Sequence, residues 1–184
     1  MSSIRVRPLL AAWCLLPAAA LIPLVPFAQQ DKGLAVNHVV VDERLHTSGQ
    51  PAAAVLETLA ARGFDTVVNL APATVQGAVP EERDLLEGSG VTYVNVPVDF
   101  RNPTYADFEL FSDSLGQARD GQVLVHCQVN ARASMFTFLY RVVHEGVPPA
   151  EAYELVKQVW TPVEPWALFG EDVLKRHGID FRLR

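Results

Sequence analysis

Apolar residues recur along the chain with two different periods, one of about two residues and one of about 3.6 residues. Runs rich in β-branched residues predict strands at 38–41, 66–70, 90–99 and 121–127. The other period predicts helices at about 51–62, 80–87, from 103–107 onward, 132–145, 149–160 and 164–176. Strands that alternate with helices, followed by a helical end, predict an α/β domain built in layers.

Two of these elements are predicted to lie in the core. The strand at 121–127 is almost continuously apolar, as expected for a strand covered on both faces. The helix at 132–145 carries apolar residues around most of its circumference, which predicts a central, buried helix. Gly63 is placed as the residue that follows the first helix, and Thr104 with Asp107 predicts a capping box.

The N-terminal segment, residues 1–28, has the pattern of an export signal. Arg5 and Arg7 are followed by a long apolar stretch without charge, which ends in a small residue at Ala28. Cys14 belongs to this stretch. We expect cleavage after Ala28 and a periplasmic or secreted protein. The alternative is an uncleaved membrane anchor, although three prolines make the stretch a poor continuous helix.

The remaining chain is predicted to be a polar tether at 29–36 and one domain at 37–184. After residue 28 it carries 13 Lys and Arg against 21 Asp and Glu, with no basic cluster, so no nucleic-acid partner is expected. Contact with a membrane is expected only through an uncleaved N-terminal segment. Cys127 would be the one cysteine left after cleavage, so it cannot form an intramolecular disulfide. A lone thiol in an oxidising compartment favours a buried or functional role.

The chemistry-bearing residues cluster where the strand at 121–127 gives way to the next helix. His126 and Cys127 end the strand, and Arg132 begins the helix. The tight loop between them is Gln128, Val129, Asn130 and Ala131. Such a junction directs backbone N–H groups and the positive end of a helix dipole at one point, which suits an anion and stabilises a thiolate. Arg132 can donate two hydrogen bonds to a bound oxyanion. One Cys beside one His is not a metal-ligand set, and no cofactor is expected.

The stretch VLVHC…R.S resembles the phosphate-binding loop of the dual-specificity-like cysteine phosphatases, whose signature is His-Cys, five residues, Arg, then Ser or Thr. TSGQP, GFDTVVNL and GVTYVNVPVD fall in the expected order along the chain. The chain resembles in particular a bacterial branch that combines a TSGQP-type turn with a loop shortened by one residue. The resemblance implies a three-layer fold with a central, mostly parallel sheet of four to five strands, and hydrolysis of phosphomonoesters on a small molecule or a phosphoprotein.

The loop departs from the family pattern in its length. Four residues, not five, separate Cys127 from Arg132, and Asn130 replaces the usual glycine. Asparagine tolerates left-handed backbone geometry, so this replacement is physically reasonable. Ser134 keeps its usual distance from the cysteine. A four-residue gap is also common in rhodanese-type sulfurtransferases, which carry a persulfide, so sulfur transfer is an alternative activity.

The resemblance also implies a role for each site residue. Cys127 would attack phosphorus, and Arg132 with the loop amides would hold the phosphoryl oxygens. His126 would fix the loop geometry and stabilise the thiolate, and Ser134 would donate a hydrogen bond to the sulfur. The resemblance implies that Asp99 is the general acid, because it ends VNVPVD about where the family carries this acid. Asp107 is the competing candidate, but its capping-box position already explains it.

Simpler interpretations remain open for several of these residues. Asp99 would then be a turn acid, Ser134 a hydroxyl that satisfies a helix N–H, and His126 a core histidine. TSGQP at 47–51 is interpreted as a turn that leads into a helix, with residues 48–50 as turn and cap. TPVEPW at 161–166 is interpreted as an interhelix corner, with an aromatic wall beside the site as the alternative. A non-catalytic module that binds an oxyanion is the third function in contention.

Overall fold

The computed structural model describes residues 33–183. The described residues belong to one compact unit. The predicted export segment at 1–28 lies outside the described residues and stays a prediction. Residues 33–36 of the predicted tether are described. Leu34 is buried in the smaller of two hydrophobic clusters, and the carbonyl of Val36 accepts a hydrogen bond from the amide of Gly49 at 2.8 Å.

The described part contains a five-stranded sheet, in the spatial order β1-β2-β5-β3-β4. Its strands are β1 (Val39–Val40), β2 (Leu45–Ser48), β3 (Thr66–Asn69), β4 (Thr92–Asn95) and β5 (Val123–His126). β1 runs antiparallel to β2, and the other pairings are parallel. This confirms the predicted α/β class with a mostly parallel central sheet.

Helices cover both faces of the sheet. They are α1 (Ala53–Leu56), a 3₁₀ turn (Ala60–Arg62), α2 (Glu82–Gly88), α3 (Tyr105–Ala118), α4 (Ala131–Val143), α5 (Pro149–Val159) and α6 (Trp166–Arg176). Side chains alternate across the sheet, so Val67 packs in the smaller cluster with α1 and α2, whereas Val68 packs in the larger cluster with α3 to α6. Helix α4 is buried at every residue except Arg141 and Val143, as its apolar circumference predicts.

The prediction for the segment before the first helix is wrong at its start. The sequence predicts a turn at 47–51, but Thr47 and Ser48 end the strand β2, which pairs with β5 from Leu45↔Val123 to Ser48↔His126. No alternating apolar pattern marks this strand. Strand β2 forms because it pairs with the central strand β5, and such long-range pairing overrides local propensity.

The remaining differences in element bounds have local causes. The helix predicted at 51–62 breaks after α1, where the hydroxyl of Thr58 donates to the carbonyl of Val55 at 2.7 Å and competes with helical bonding. Gly63 then adopts φ 89°, as its predicted terminal position requires. The capping box of α3 is confirmed, because Thr104 Oγ1 accepts from the amide of Asp107, and Asp107 Oδ2 accepts from the amide of Thr104.

Four parallel strands end on one edge of the sheet, and each ends on a polar residue. Ser48, His126, Asn69 and Asn95 lie side by side in this register. In open α/β sheets this carboxyl edge is where ligands bind. The fold therefore directs attention to the segment that follows His126 on the central strand β5. Within residues 33–183, no helix is both long enough and apolar enough to span a bilayer.

Candidate active site

The segment after β5 is a tight loop, which we call the Cys127 loop (residues 127–132). It passes from the end of β5 into the first turn of α4. Asn130 is the N-cap of α4 and adopts φ 72°, the left-handed geometry for which asparagine is suited. Its side-chain amide donates to the carbonyl of Asn37 at 2.6 Å and to Thr47 Oγ1 at 3.0 Å. The strained residue of the loop is therefore held by the segment that includes β2.

The turn after β2 holds the loop from the other side. The amide of Cys127 donates to the carbonyl of Ser48 at 3.2 Å, and the amide of Gln50 donates to the carbonyl of Gln128 at 3.1 Å. The Gln128 side chain also donates to the carbonyl of Gln76 at 3.1 Å. Ser48 belongs to β2 and Gly49 pairs with Val129 in an isolated bridge, so only the part of the predicted turn after Ser48 leaves the strand, and the N-cap of α1 is Ala52 rather than a residue of 48–50. The contacts of residues 48–50 with the Cys127 loop were not predicted, because no local pattern indicates a partner almost 80 residues away in the sequence.

Gly49 is the point of closest approach between this turn and the Cys127 loop. A Cβ atom at this position would lie 2.4 Å from Cγ1 of Val36 and 2.9 Å from the carbonyl oxygen of Gln128. We expect Gly49→Ala to lower the free energy of unfolding by about 1–3 kcal/mol, because the backbone must shift to relieve the overlap. Activity should fall with the displaced loop.

Thermal and urea unfolding measure this effect. The matched control is Gly116→Ala in α3, where a Cβ would meet only the Tyr140 hydroxyl at an ordinary 3.6 Å. Alanine should be neutral or stabilising there by up to about 1 kcal/mol. Equal stability of the Gly49 and Gly116 variants would contradict the close approach described above.

The Cys127 loop points unpaired donors into one small region. Within the described part of the chain, no acceptor is found for the backbone N–H groups of residues 128 and 131–133, and no side chain caps the first turn of α4. Consecutive free N–H groups at a helix N-terminus form an anion-binding concavity. Cys127, a free and fully buried cysteine, lies at the start of this row.

Arg132 contributes a charge to the same region. Its residue is only 5% exposed, and its Nε has no hydrogen-bond partner. No carboxylate of residues 33–183 pairs with its guanidinium, and its Cζ lies 5.3 Å from the centre of the Phe100 ring. A buried cation without a counter-charge is costly to the folded state. The arrangement is explained if an anion supplies the missing charge.

Asp99 lies on the loop that reaches Arg132. Its side chain is exposed, and Oδ1 accepts from the amide of Arg101 at 2.9 Å, which is the turn geometry of the simpler interpretation. Its neighbour Phe100 makes the contact with Arg132, so the structure brings the Asp99 loop beside the Cys127 loop. Asp107 is held in the capping box of α3.

An aromatic group extends this side of the site. The Phe100 ring lies 5.9 Å from that of Trp160 and 5.3 Å from that of Trp166, and Trp166 Nε1 donates to the carbonyl of Phe100 at 2.8 Å. The segment 161–166 does join two helices, as the corner interpretation predicts. Its final tryptophan also supports the Phe100 loop, so the aromatic-wall alternative describes part of its packing.

Ser134 makes neither of its predicted contacts. Its hydroxyl is fully buried and donates to the carbonyl of Ala131 at 3.1 Å, and no hydrogen bond joins it to the sulfur of Cys127. A serine in the first turn of a helix can satisfy the preceding carbonyl in this way, which the position alone did not indicate.

His126 is fully buried, and its Nε2 lies 3.0 Å from Oε1 of Glu82. Glu82 was not predicted as a site residue. It is one of several acidic residues in a short polar helix, and nothing in that pattern marks it as the one that points inward. Among residues 33–183, no group of three or more His, Cys, Asp or Glu side chains is arranged to hold a metal ion.

Comparisons with known proteins identify the family. No protein-family model matches the chain. The crystal structure of the "Putative phosphatase (DUF442)" of Shewanella putrefaciens CN-32 is 30% identical in sequence with a TM-score of 0.71, and the match covers 77% of this chain and 93% of that one. A second crystal structure, a phosphatase-like protein of Neisseria meningitidis Z2491, is 27% identical with a TM-score of 0.59, covering 75% of this chain and 96% of that one.

Curated relatives match over part of their length. The "Beta-lactamase hydrolase-like protein" of Agrobacterium fabrum is 32% identical over 98 residues, which is 52% of this chain and 22% of that protein. The chain thus spans about a quarter or less of the curated relatives that it matches. The fold, the His-Cys loop and the similarity to the Shewanella protein over 93% of its length agree. The chain belongs to the dual-specificity-like cysteine phosphatase family.

Proposed function

We propose that this protein hydrolyses phosphomonoesters through a phosphocysteine intermediate on Cys127. The observation that carries the proposal is the convergence of free N–H groups at 128 and 131–133 and the unpaired, buried Arg132 beside a buried cysteine. A tetrahedral oxyanion such as a phosphoryl group offers the negative charge and the several acceptor oxygens that this set of donors requires. The substrate would be a phosphorylated small molecule or a phosphoprotein.

In the first step, the thiolate of Cys127 attacks phosphorus and the ester P–O bond breaks. The leaving oxygen takes a proton from Asp99, whose exposed carboxyl group is on the adjacent loop. In the second step, water attacks phosphorus, gives a proton to the Asp99 carboxylate, and the P–S bond breaks. Inorganic phosphate leaves, and the thiolate is restored. Arg132 and the loop amides stabilise the charge on the equatorial oxygens in both steps.

The role of Asp99 is tested by Asp99→Asn. We expect kcat for a phosphomonoester with a poor leaving group to fall by about 10²-fold or more, because no proton reaches the departing oxygen. The matched control is Asp107→Asn, the other acid of this region. It should lose about 1 kcal/mol of stability with its capping box and keep its kcat. Equal kcat for wild type and Asp99→Asn would exclude Asp99 as the general acid.

One observation favours a second activity. The four-residue gap between Cys127 and Arg132 is a loop length shared with rhodanese-type sulfurtransferases. In sulfur transfer, the Cys127 thiolate would attack the outer sulfur of thiosulfate, the S–S bond of thiosulfate would break, and sulfite would leave a persulfide on Cys127. Cyanide would then take the outer sulfur as thiocyanate and restore the thiolate. This reaction protonates no alkoxide, so it does not need Asp99. If Asp99→Asn still forms thiocyanate and the wild type releases no phosphate from an ester, the activity of this protein is sulfur transfer and not phosphomonoester hydrolysis.

A further inference from the structure

A buried carboxylate, that of Glu82 in α2, lies beside the residues that flank Cys127. Glu82 is only 3% exposed. Its Oε1 accepts from Gln50 Nε2 at 3.0 Å, and its Oε2 accepts from Asn69 Nδ2 at 2.9 Å. His126 Nε2 lies 3.0 Å from Oε1, although the two atoms are not aligned as a hydrogen bond.

Every polar neighbour of this carboxylate can donate to it. The Tyr93 hydroxyl lies 3.4 Å from Oε2. Burial raises the pKa of Tyr93, so the phenol keeps its proton and remains a donor. Two amides, a phenol and an imidazole therefore surround Glu82, which is the environment that an ionised carboxylate needs in order to be buried.

Glu82 is connected to both neighbours of Cys127. His126 precedes the cysteine and contacts the carboxylate directly. Gln128 follows the cysteine, and its carbonyl accepts from the backbone amide of Gln50, whose side chain donates to the same carboxylate. One carboxylate thus connects to the backbone on either side of the sulfur, whereas Arg132 lies in the first turn of α4.

We infer that Glu82 is a positioning residue, which fixes Cys127 for attack by holding His126 on one side and, through Gln50, Gln128 on the other. This inference rests on the proposed function. It assigns the carboxylate to the orientation of the nucleophile and not to the binding of the phosphoryl group. Its effect is therefore expected in kcat much more than in KM.

The test is Glu82→Gln in the full chain. Glutamine has nearly the same shape as glutamate, but its amide nitrogen cannot accept a hydrogen bond. At least one of the hydrogen bonds donated to residue 82 is therefore lost. We expect kcat for para-nitrophenyl phosphate to fall by about 10- to 100-fold, because a small displacement of a reacting group has effects of this size. KM should stay within about threefold, since the binding groups on α4 are retained.

The matched control is Glu87→Gln on the same helix. Glu87 is half exposed and pairs only with Arg83, so this variant should keep the wild-type kcat. Rates are expressed per folded molecule, with the folded fraction taken from circular dichroism. A merely structural role would lower the folded fraction and leave kcat per folded molecule unchanged, and that result overturns the inference.

A second variant keeps the inference testable if Glu82→Gln does not fold. Gln50→Ala leaves the contact between Glu82 and His126 in place. It removes the hydrogen bond from the Gln50 side chain to Glu82, through which the carboxylate is connected to Gln128. Its kcat should fall by about threefold to tenfold, and in a folded double variant the two effects should not add. A wild-type kcat for Gln50→Ala, or full additivity, contradicts the inference. If Cys127→Ser keeps its activity, the proposed function itself fails; if that variant is inactive and Glu82→Gln is fully active, only this inference fails.

Discussion

Cys127→Ser is expected to reduce phosphomonoester hydrolysis by at least about 10³-fold, because a serine hydroxyl is not ionised near neutral pH and is a much weaker nucleophile than a thiolate. The substitution is nearly isosteric at a fully buried position, so the fold should be retained. The free N–H groups of residues 128 and 131–133 and the Arg132 side chain are unchanged, so the variant should still bind inorganic phosphate. Phosphate release and isothermal titration calorimetry measure the two effects.

The matched control for this experiment is the chain's other cysteine. Cys14 lies outside the described residues, in the predicted export segment, and Cys14→Ser should keep the wild-type rate. A Cys127→Ser protein that retains more than about a tenth of the rate would exclude covalent catalysis by this residue. Phosphate binding without turnover in both the wild type and the variant would instead favour the non-catalytic binding module.

Arg132→Met should separate activity from stability. We expect kcat/KM to fall by about 10²–10³-fold, the usual loss when a donor to a developing oxyanion is removed. The free energy of unfolding should stay the same or rise, because methionine replaces a buried guanidinium that has no counter-charge among the described residues. Millimolar phosphate should raise the Tm of the wild type, because it binds only the folded protein, and should raise the Tm of the variant much less.

Arg141→Met, on the same helix, is the control. Arg141 lies near Glu145, with its Nε 3.8 Å from Oε2, and has a structural partner that Arg132 lacks. This variant should keep wild-type activity and a wild-type response to phosphate. A large loss of stability in Arg132→Met without phosphate would show that the arginine has an internal partner and would contradict the anion site.

Local patterns are sufficient to predict the framework of the site. The apolar run that ends at His126, the apolar circumference of α4 and the capping box of Thr104 each depend on neighbours within a few residues. The left-handed geometry of Asn130 is also accessible from the sequence, because few residues other than glycine tolerate it. Together these local signals place Cys127 at the carboxyl end of a central strand.

The contacts that hold the loop could not be predicted in the same way. Strand β2 has no apolar alternation and exists because it pairs with β5. Gly49 and Gln50 resemble ordinary turn residues, and Glu82 resembles one acid among several on a surface helix. Their roles depend on segments far away in the sequence meeting at one edge of the sheet, and a single sequence does not show such meetings.

The roles that the family resemblance implies for Ser134 and Asp99 stay predictions. The role of Ser134 was inferred from its distance in sequence from Cys127. A serine hydroxyl in the first turn of a helix can also donate to a preceding backbone carbonyl, and the Ser134 hydroxyl does so. Asp99 lies on a loop whose Phe100 contacts Arg132. One oxygen of the Asp99 carboxylate also accepts a hydrogen bond from the backbone amide of Arg101 within the turn. The catalytic role of Asp99 stays a prediction for the Asp99→Asn experiment.

The most direct test of the central claim is the state of Cys127 during turnover. Wild-type protein is mixed with para-nitrophenyl phosphate, quenched in acid within the first turnovers, and digested, and the peptide that contains Cys127 is analysed by mass spectrometry. The account predicts a mass increase of one phosphoryl group on Cys127, which is absent in Cys127→Ser. Turnover with unmodified Cys127 throughout, or a phosphoryl group on another residue, would contradict it.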